Sequence, residues 1–248
     1  LDCAARPKKI AVCYIAVTHG KLTDDFASRF VVTYKEYDAE AEHDLFICCN
    51  GGPLSGLLSA IFSYVKPKFY PRENTKGYDI DTCIDMATGP AKDYDMLVCL
   101  GESVYFHRHG WLKRLKDAWE KHGEGIYGPF SSHLVRAHLN TTAFCSSPAL
   151  IADFAKLFWK YNDGAGRYDF EHGKGAFWRW VHYTVGKPAM LVTWDGEWKP
   201  GEWRLPKNIL WRGDQSNCLM WCNHTDAWRD GTNEARRFWS SGADRQFE

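Results

Sequence analysis

Residues 10–17 read IAVCYIAV, eight apolar positions without a break, closed by Thr18-His19-Gly20. A run of that length suits a strand, and unbroken apolarity buries both of its faces, as in a parallel sheet. Thr23 is placed to cap the next segment, with Asp24 and Asp25 in its first turn and Phe26, Phe30, Tyr34 and Tyr37 at helical spacing. Residues 45–49 (LFICC) form a second apolar run, stopped by Asn50-Gly51-Gly52-Pro53 and followed by Leu57, Leu58, Ile61 and Phe62 on a helix. Phe69-Tyr70 reads as a short strand leading into the turn Arg72-Glu73-Asn74-Thr75-Lys76-Gly77. After it, Ile80, Cys83, Ile84 and Ala87 recur helically until Gly89-Pro90. Residues 96–100 (MLVCL) are the third buried strand and run into Gly101-Glu102-Ser103.

Strands alternating with helices predict an α/β, Rossmann-like fold: a mostly parallel central sheet flanked by helices and wound in right-handed βαβ units. Ligands of such sheets bind outside the carboxyl ends of the strands. A helix is expected from near Gly110, carrying Trp111, Leu112, Leu115 and Trp119. In the second half, strands are expected at 142–145 and 190–193, helices at 148–161 and 177–183, and then a loop-rich tail of Gly, Pro and Trp. The chain reads as one domain, 1–248, with residues 8–110 as the ligand-binding half.

The 248 residues are 45% hydrophobic, enough for one large core. Lys+Arg and Asp+Glu both number 31, so no global field gathers nucleic acid or an anionic membrane. The nine cysteines are odd in number, and Cys13, Cys48, Cys49 and Cys99 sit inside apolar runs, which favours core thiols over a disulfide framework. No stretch nears the ~20 apolar residues of a membrane span, and residues 1–9 lack a signal-peptide core. A soluble, cytoplasmic protein is expected. The initial Leu1 suggests an excised segment.

The order of these pieces resembles the family-2-like glycosyltransferases of the GT-A fold. The matching segments are IAVCYIAVTHG, LFICCNGG, RENTKGYDIDTCIDMA and YDMLVCLGES, and the resemblance covers roughly residues 8–185. It implies transfer of a sugar from a nucleoside diphosphate to an acceptor hydroxyl, by an inverting mechanism, with a divalent cation (Mn²⁺ or Mg²⁺) on the diphosphate. Carried over by position, Ala16, Thr18 and Asn50 would hold the nucleoside, although Asn50-Gly51 is equally a tight turn. Arg72, Asn74 and Lys76 would lie near the diphosphate, on a turn opening a helix whose free N–H groups favour anions.

The family's DxD metal motif falls on Gly101-Glu102-Ser103, where Glu102 alone is a carboxylate. That leaves Gly101 beside the donor and Glu102 as the metal ligand, with His224 completing the site, or Arg108 replacing the metal. Asp79 reads as a first-turn charge. The acidic motif Tyr168-Asp169-Phe170-Glu171-His172-Gly173 supplies Glu171 as the base for the acceptor, with Asp169 in reserve.

Cys218, Cys222 and His224 match no common zinc spacing. His107, His109, His133 and His138 read as structural or solvent-facing. Trp194, Trp198 and Trp203 could form an acceptor platform or pack the tail. The expected acceptor is a glycan. A modified DNA base and a non-catalytic carbohydrate-binding relative are the competing readings.

Overall fold

The computed structural model describes residues 9–18, 20, 22–73, 78–132, 136–158, 164–209 and 211–243. Asn74, Lys76 and His133 lie outside the described residues. The first half alternates as its apolar pattern demands: β1 (Ile10–Val17), α1 (Thr23–Glu36), β2 (Asp44–Asn50), α2 (Gly56–Ser63), β3 (Lys68–Arg72), α3 (Tyr78–Thr88) and β4 (Met96–Leu100). β2 and β4 pair in parallel with the two edges of β1, and β3 pairs in parallel with β2. Pro71 fits within β3 because that strand ends the sheet and has no outer neighbour awaiting its missing N–H.

The second half comprises α4 (Trp111–His122), β5 (Ile126–Gly128), β6 (Ser131–Ser132), β7 (His138–Leu139), β8 (Ala143–Ser146), α5 (Pro148–Phe158) and α6 (Gly164–His172). Then come α7 (Phe177–Arg179), a π turn (Trp180–Thr184), β9 (Ala189–Val192), β10 (Glu197–Trp198), α8 (Asn223–Asp230) and α9 (Asn233–Ala243). β8 lies antiparallel between β4 and β5, β9 is parallel to β5, and β10 is antiparallel to β9. One sheet of eight strands results, ordered β10-β9-β5-β8-β4-β1-β2-β3, with β6 and β7 as a separate ribbon.

The α/β class is as expected, and the sheet is mixed beyond β4. The strands responsible run only two to four residues, too short to show a period.

Three local readings are corrected. Thr23 does not cap α1; it is the first helical residue, and its hydroxyl donates to the carbonyls of Val17 at 2.6 Å and Gly20 at 3.1 Å. It thereby ties the loop after β1 to its own helix. The motif 168–173 precedes a helix, α7, as its pattern implies, but it is itself helical through His172, the last residue of α6.

The tail is not mainly loop. It carries α8 and α9, and it docks on the domain through bridges from Trp221 to Tyr105 and from Cys218 to Thr193. Trp203, Trp211, Leu219, Met220 and Trp228 are buried there. Burial of indole rings, each worth roughly 3–5 kcal/mol if truncated, holds a segment of weak local propensity in place.

α4 buries Trp111, Leu112, Leu115, Ala118 and Trp119 on one face. It starts at Gly110, whose φ of 80° and approach to Glu40 both disfavour a side chain. The eight described cysteines are buried free thiols. Among the described residues, no helix is long and apolar enough to cross a membrane.

Candidate functional site

Because β1 to β4 run parallel, the loops leaving Val17, Asn50, Arg72 and Leu100 emerge along one rim. From β1 the chain winds outward to β2 and β3, then crosses to β4 on the other side of β1. The loops after β1 and β4 therefore part from each other, and the crevice between them is a topological switch point.

Backbone bonds stitch the rim. Thr18 N–H donates to the Asn50 carbonyl at 3.0 Å, and the N–H groups of Gly51 and Gly52 both donate to the Arg72 carbonyl at 3.0 Å. The two glycines have φ of 113° and 111°, which other residues rarely adopt.

Arg72 is buried at 7% exposure. Its Nη1 donates to Asn50 Oδ1 at 2.9 Å, its Nε to Asp85 Oδ2 at 2.6 Å, and its Nη2 stands 3.4 Å from Asp81 Oδ2. The guanidinium is thus committed to the carboxylates of α3, and the Asn50 side-chain carbonyl to the guanidinium. Ala16 is buried within β1, opposite Cys49, while Thr18 is half-buried at the rim.

Glu102 lies at the crevice. The Tyr14 hydroxyl, reaching from β1, donates to the Glu102 carbonyl and fixes the loop. The Glu102 side chain is half-buried, and its Oε2 is shut from solvent without a hydrogen-bond partner among the described residues. That oxygen faces the loop after β1, 3.9 Å from where a methyl group on Gly20 would stand. Burial raises the Glu102 pKa and the charge of Asp79 raises it further, against a backbone hydrogen bond from Val17. Asp79, in the first turn of α3, is thus near enough for its negative charge to act on Glu102.

Gly101 N–H donates to the Thr142 carbonyl at 2.8 Å, and a side chain on Gly101 would stand 3.1 Å from that oxygen. Ser103 Oγ donates to Asn223 Oδ1 at 3.0 Å, which brings the start of α8, and hence His224, to the rim. His224 is half-buried beside Trp211.

On the β8 side, Glu171 Oε1 accepts from Thr141 N–H at 2.8 Å and from Thr141 Oγ1 at 3.3 Å. Its Oε2 is 3.3 Å from His172 Nε2, and its Oε1 is 3.6 Å from His138 Nε2. Burial would raise the Glu171 pKa, but the hydrogen bond from His172, the His138 charge and the Thr141 N–H overcome it and bring the value to about 2. Burial lowers the His138 pKa, outweighing the pull of Glu171. At neutral pH His138 is therefore uncharged, and Thr141 and His172 do most of the holding.

Thr141 grips Glu171 while Thr142 grips Gly101, so two consecutive residues join the two acids' surroundings at one end of the sheet. Asp169 is exposed and, two residues earlier on α6, points roughly 200° around the helix from Glu171.

Among the described residues, the three His/Cys/Asp/Glu side chains whose ligand atoms converge are His138, Glu171 and His172. Neither Glu102 with His224, nor Cys218 and Cys222 with His224, belongs to such a set. The sequence reading missed His138 because its partners come from another element 33 residues on, at no recognised spacing.

His107 is stacked on Trp221 at 4.1 Å and bonded to the Cys218 carbonyl at 2.7 Å. Burial first, then Arg108 and Arg229, bring its pKa to about 4. The Arg108 guanidinium lies over Trp194 at 5.4 Å, and His109 Nδ1 accepts from Asp38 N–H at 3.0 Å. Of the three platform tryptophans, Trp203 is core at 2% exposure, whereas Trp194 and Trp198 are half-buried. In comparisons with known proteins, no family model matches the chain and no curated protein matches it significantly.

Proposed function

We propose that this chain transfers a sugar from a nucleoside diphosphate to an acceptor hydroxyl in the crevice between β1 and β4, as the GT-A glycosyltransferases that its sequence resembles do. The observation that carries the reading is Glu102 at the switch point, with a buried carboxylate oxygen that lacks a hydrogen-bond partner among the described residues and with the like charge of Asp79 acting on it. A half-buried carboxylate under the influence of a second negative charge is stabilised by a hard divalent cation, Mg²⁺ or Mn²⁺, which also binds phosphate oxygens.

In this reading Thr18 and the 50–52 turn edge the nucleoside, and Gly101, packed on the Thr142 carbonyl, sets the β4 loop beside the donor. The acceptor hydroxyl gives its proton to Asp169, exposed on α6, as its oxygen attacks the anomeric carbon, the bond to the diphosphate breaks on the opposite face, and the departing charge falls on the cation at Glu102. A carboxylate held near 2 is a weak acceptor of a hydroxyl proton. Glu171 is accordingly read as positioning the Thr141-Thr142 turn against Gly101. Balanced charge favours a glycan acceptor over duplex DNA.

The test is thermal unfolding with UDP-, GDP- and dTDP-sugars, with and without Mn²⁺. A ligand at a hundred times its Kd adds about 2.7 kcal/mol, so one nucleotide series should raise Tm in Mn²⁺ and lose that effect in Glu102→Gln. A wild-type protein indifferent to every nucleotide in Mn²⁺ would overturn the reading. Binding with no turnover on any glycan would leave a carbohydrate-binding relative in its place.

A further inference from the structure

We propose that His138, Glu171 and His172 form a binding site for a divalent transition metal of the Zn²⁺ type, separate from the crevice cation and independent of the transferase reading. The three side chains come from two elements, β7 and the last turn of α6, and their ligand atoms all lie within 4.8 Å of one another. All three are largely shielded, with side-chain exposures of 3%, 12% and 13%.

The tautomer of His138 carries the argument. Its Nδ1 lies 2.7 Å from the Arg136 carbonyl, which can only accept, so Nδ1 bears the hydrogen. In the neutral ring Nε2 then turns its lone pair toward Glu171 Oε1 across 3.6 Å, too far for a hydrogen bond and spaced so that a positive charge between the two would satisfy both. A metal supplies that charge. Two ligands bonded at 2.0–2.1 Å to one tetrahedral ion stand about 3.3 Å apart; His138 Nε2 stands 3.6 Å from Glu171 Oε1 and His172 Nε2 3.3 Å from Glu171 Oε2, so the two oxygens of the carboxylate each face one imidazole.

The outer contacts are those of a metal site. A ligating histidine is normally oriented by its second nitrogen on a carbonyl, and a ligating carboxylate by a further donor. Arg136 supplies the first and Thr141 N–H the second. His138 and Glu171 thus have such outer partners, whereas the buried Nδ1 of His172 has none among the described residues. Two imidazoles and one carboxylate select Zn²⁺-type ions over Mg²⁺. Three protein ligands leave a fourth position for water.

The experiment is equilibrium dialysis of the chelator-treated full chain against Zn²⁺, with metal content measured, and against Co²⁺, with the visible d–d bands recorded. Neither readout needs a nucleotide or a sugar, so a failed transferase reading does not affect it. The wild type should take up one Zn²⁺ per chain, show intense tetrahedral Co²⁺ bands and ignore Mg²⁺. His172→Gln, at the more exposed ligand, should weaken Zn²⁺ by more than the roughly 100-fold that an outer partner's loss can cost, with an unchanged far-UV spectrum. Glu102→Gln should bind Zn²⁺ as the wild type does. No uptake by the wild type at micromolar Zn²⁺, or equal uptake by a folded His172→Gln, overturns the site.

Discussion

Arg72 Nη1 donates to Asn50 Oδ1 at 2.9 Å, joining the carboxyl ends of two neighbouring strands with a buried guanidinium. The remaining nitrogens of Arg72 go to Asp85 and Asp81 on α3. The rim of the proposed donor crevice is therefore built on an internal ion cluster.

Removing Arg72 should unfold before it unbinds. Arg72→Met leaves Asp81, 10% exposed, without its cation, and breaking such a buried pair costs about 3–5 kcal/mol. Urea unfolding of the variant should show a loss of that order. A variant as stable as the wild type but unable to bind nucleotide would return Arg72 to a direct ligand role.

Glu102 should behave in the opposite way. A carboxyl whose folded pKa is raised is charged at a cost in the folded state, so neutralising it relieves strain at pH 7. Glu102→Gln is expected to unfold at the same urea concentration as the wild type or higher, while losing Mn²⁺-dependent nucleotide binding. Marked destabilisation would show that Glu102 is structural.

Acid should unmask Glu171. Its folded value of about 2 lies below the ordinary 4.5, so its contribution is present above 4.5 and lost as pH falls through 2. The span corresponds to something on the order of 3 kcal/mol. In metal-stripped protein, the wild-type unfolding free energy should fall across this window more steeply than that of Glu171→Gln. His138, lowered by burial, starts the decline below its ordinary 6.5. Parallel pH profiles would remove the carboxylate's stabilising role.

Gly125 should not tolerate a methyl group. A side chain there would stand 2.3 Å from the Pro188 carbonyl, the oxygen that also receives the Ile126 N–H. Gly125→Ala must push β5 from β9, at a cost of roughly 1–3 kcal/mol. A Tm equal to that of the wild type would contradict the close approach.

Much of the first half was legible before any coordinates. β1 and β4 coincide with their apolar runs because a strand buried on both faces has no polar positions to blur its ends. Residues of the second half carried weaker signals: β5 to β8 are two to four residues long, and the tail's order comes from tryptophans packed on distant partners. At the proposed site, the candidates Glu102 and Glu171 were picked out by position. The roles of their neighbours were not, since Asn50 and Arg72 look like polar loop residues until each is seen to satisfy the other.

The sequence by itself determined a parallel αβ core and the edge where its loops gather, because periodicity and turn chemistry are local properties of the chain. The tertiary structure alone decided the antiparallel insertion of β8, the docking of α8 beside Ser103 and the meeting of His138 with Glu171 and His172. Those relations join residues 18 or more positions apart, and burial and charge, not local propensity, bring them together.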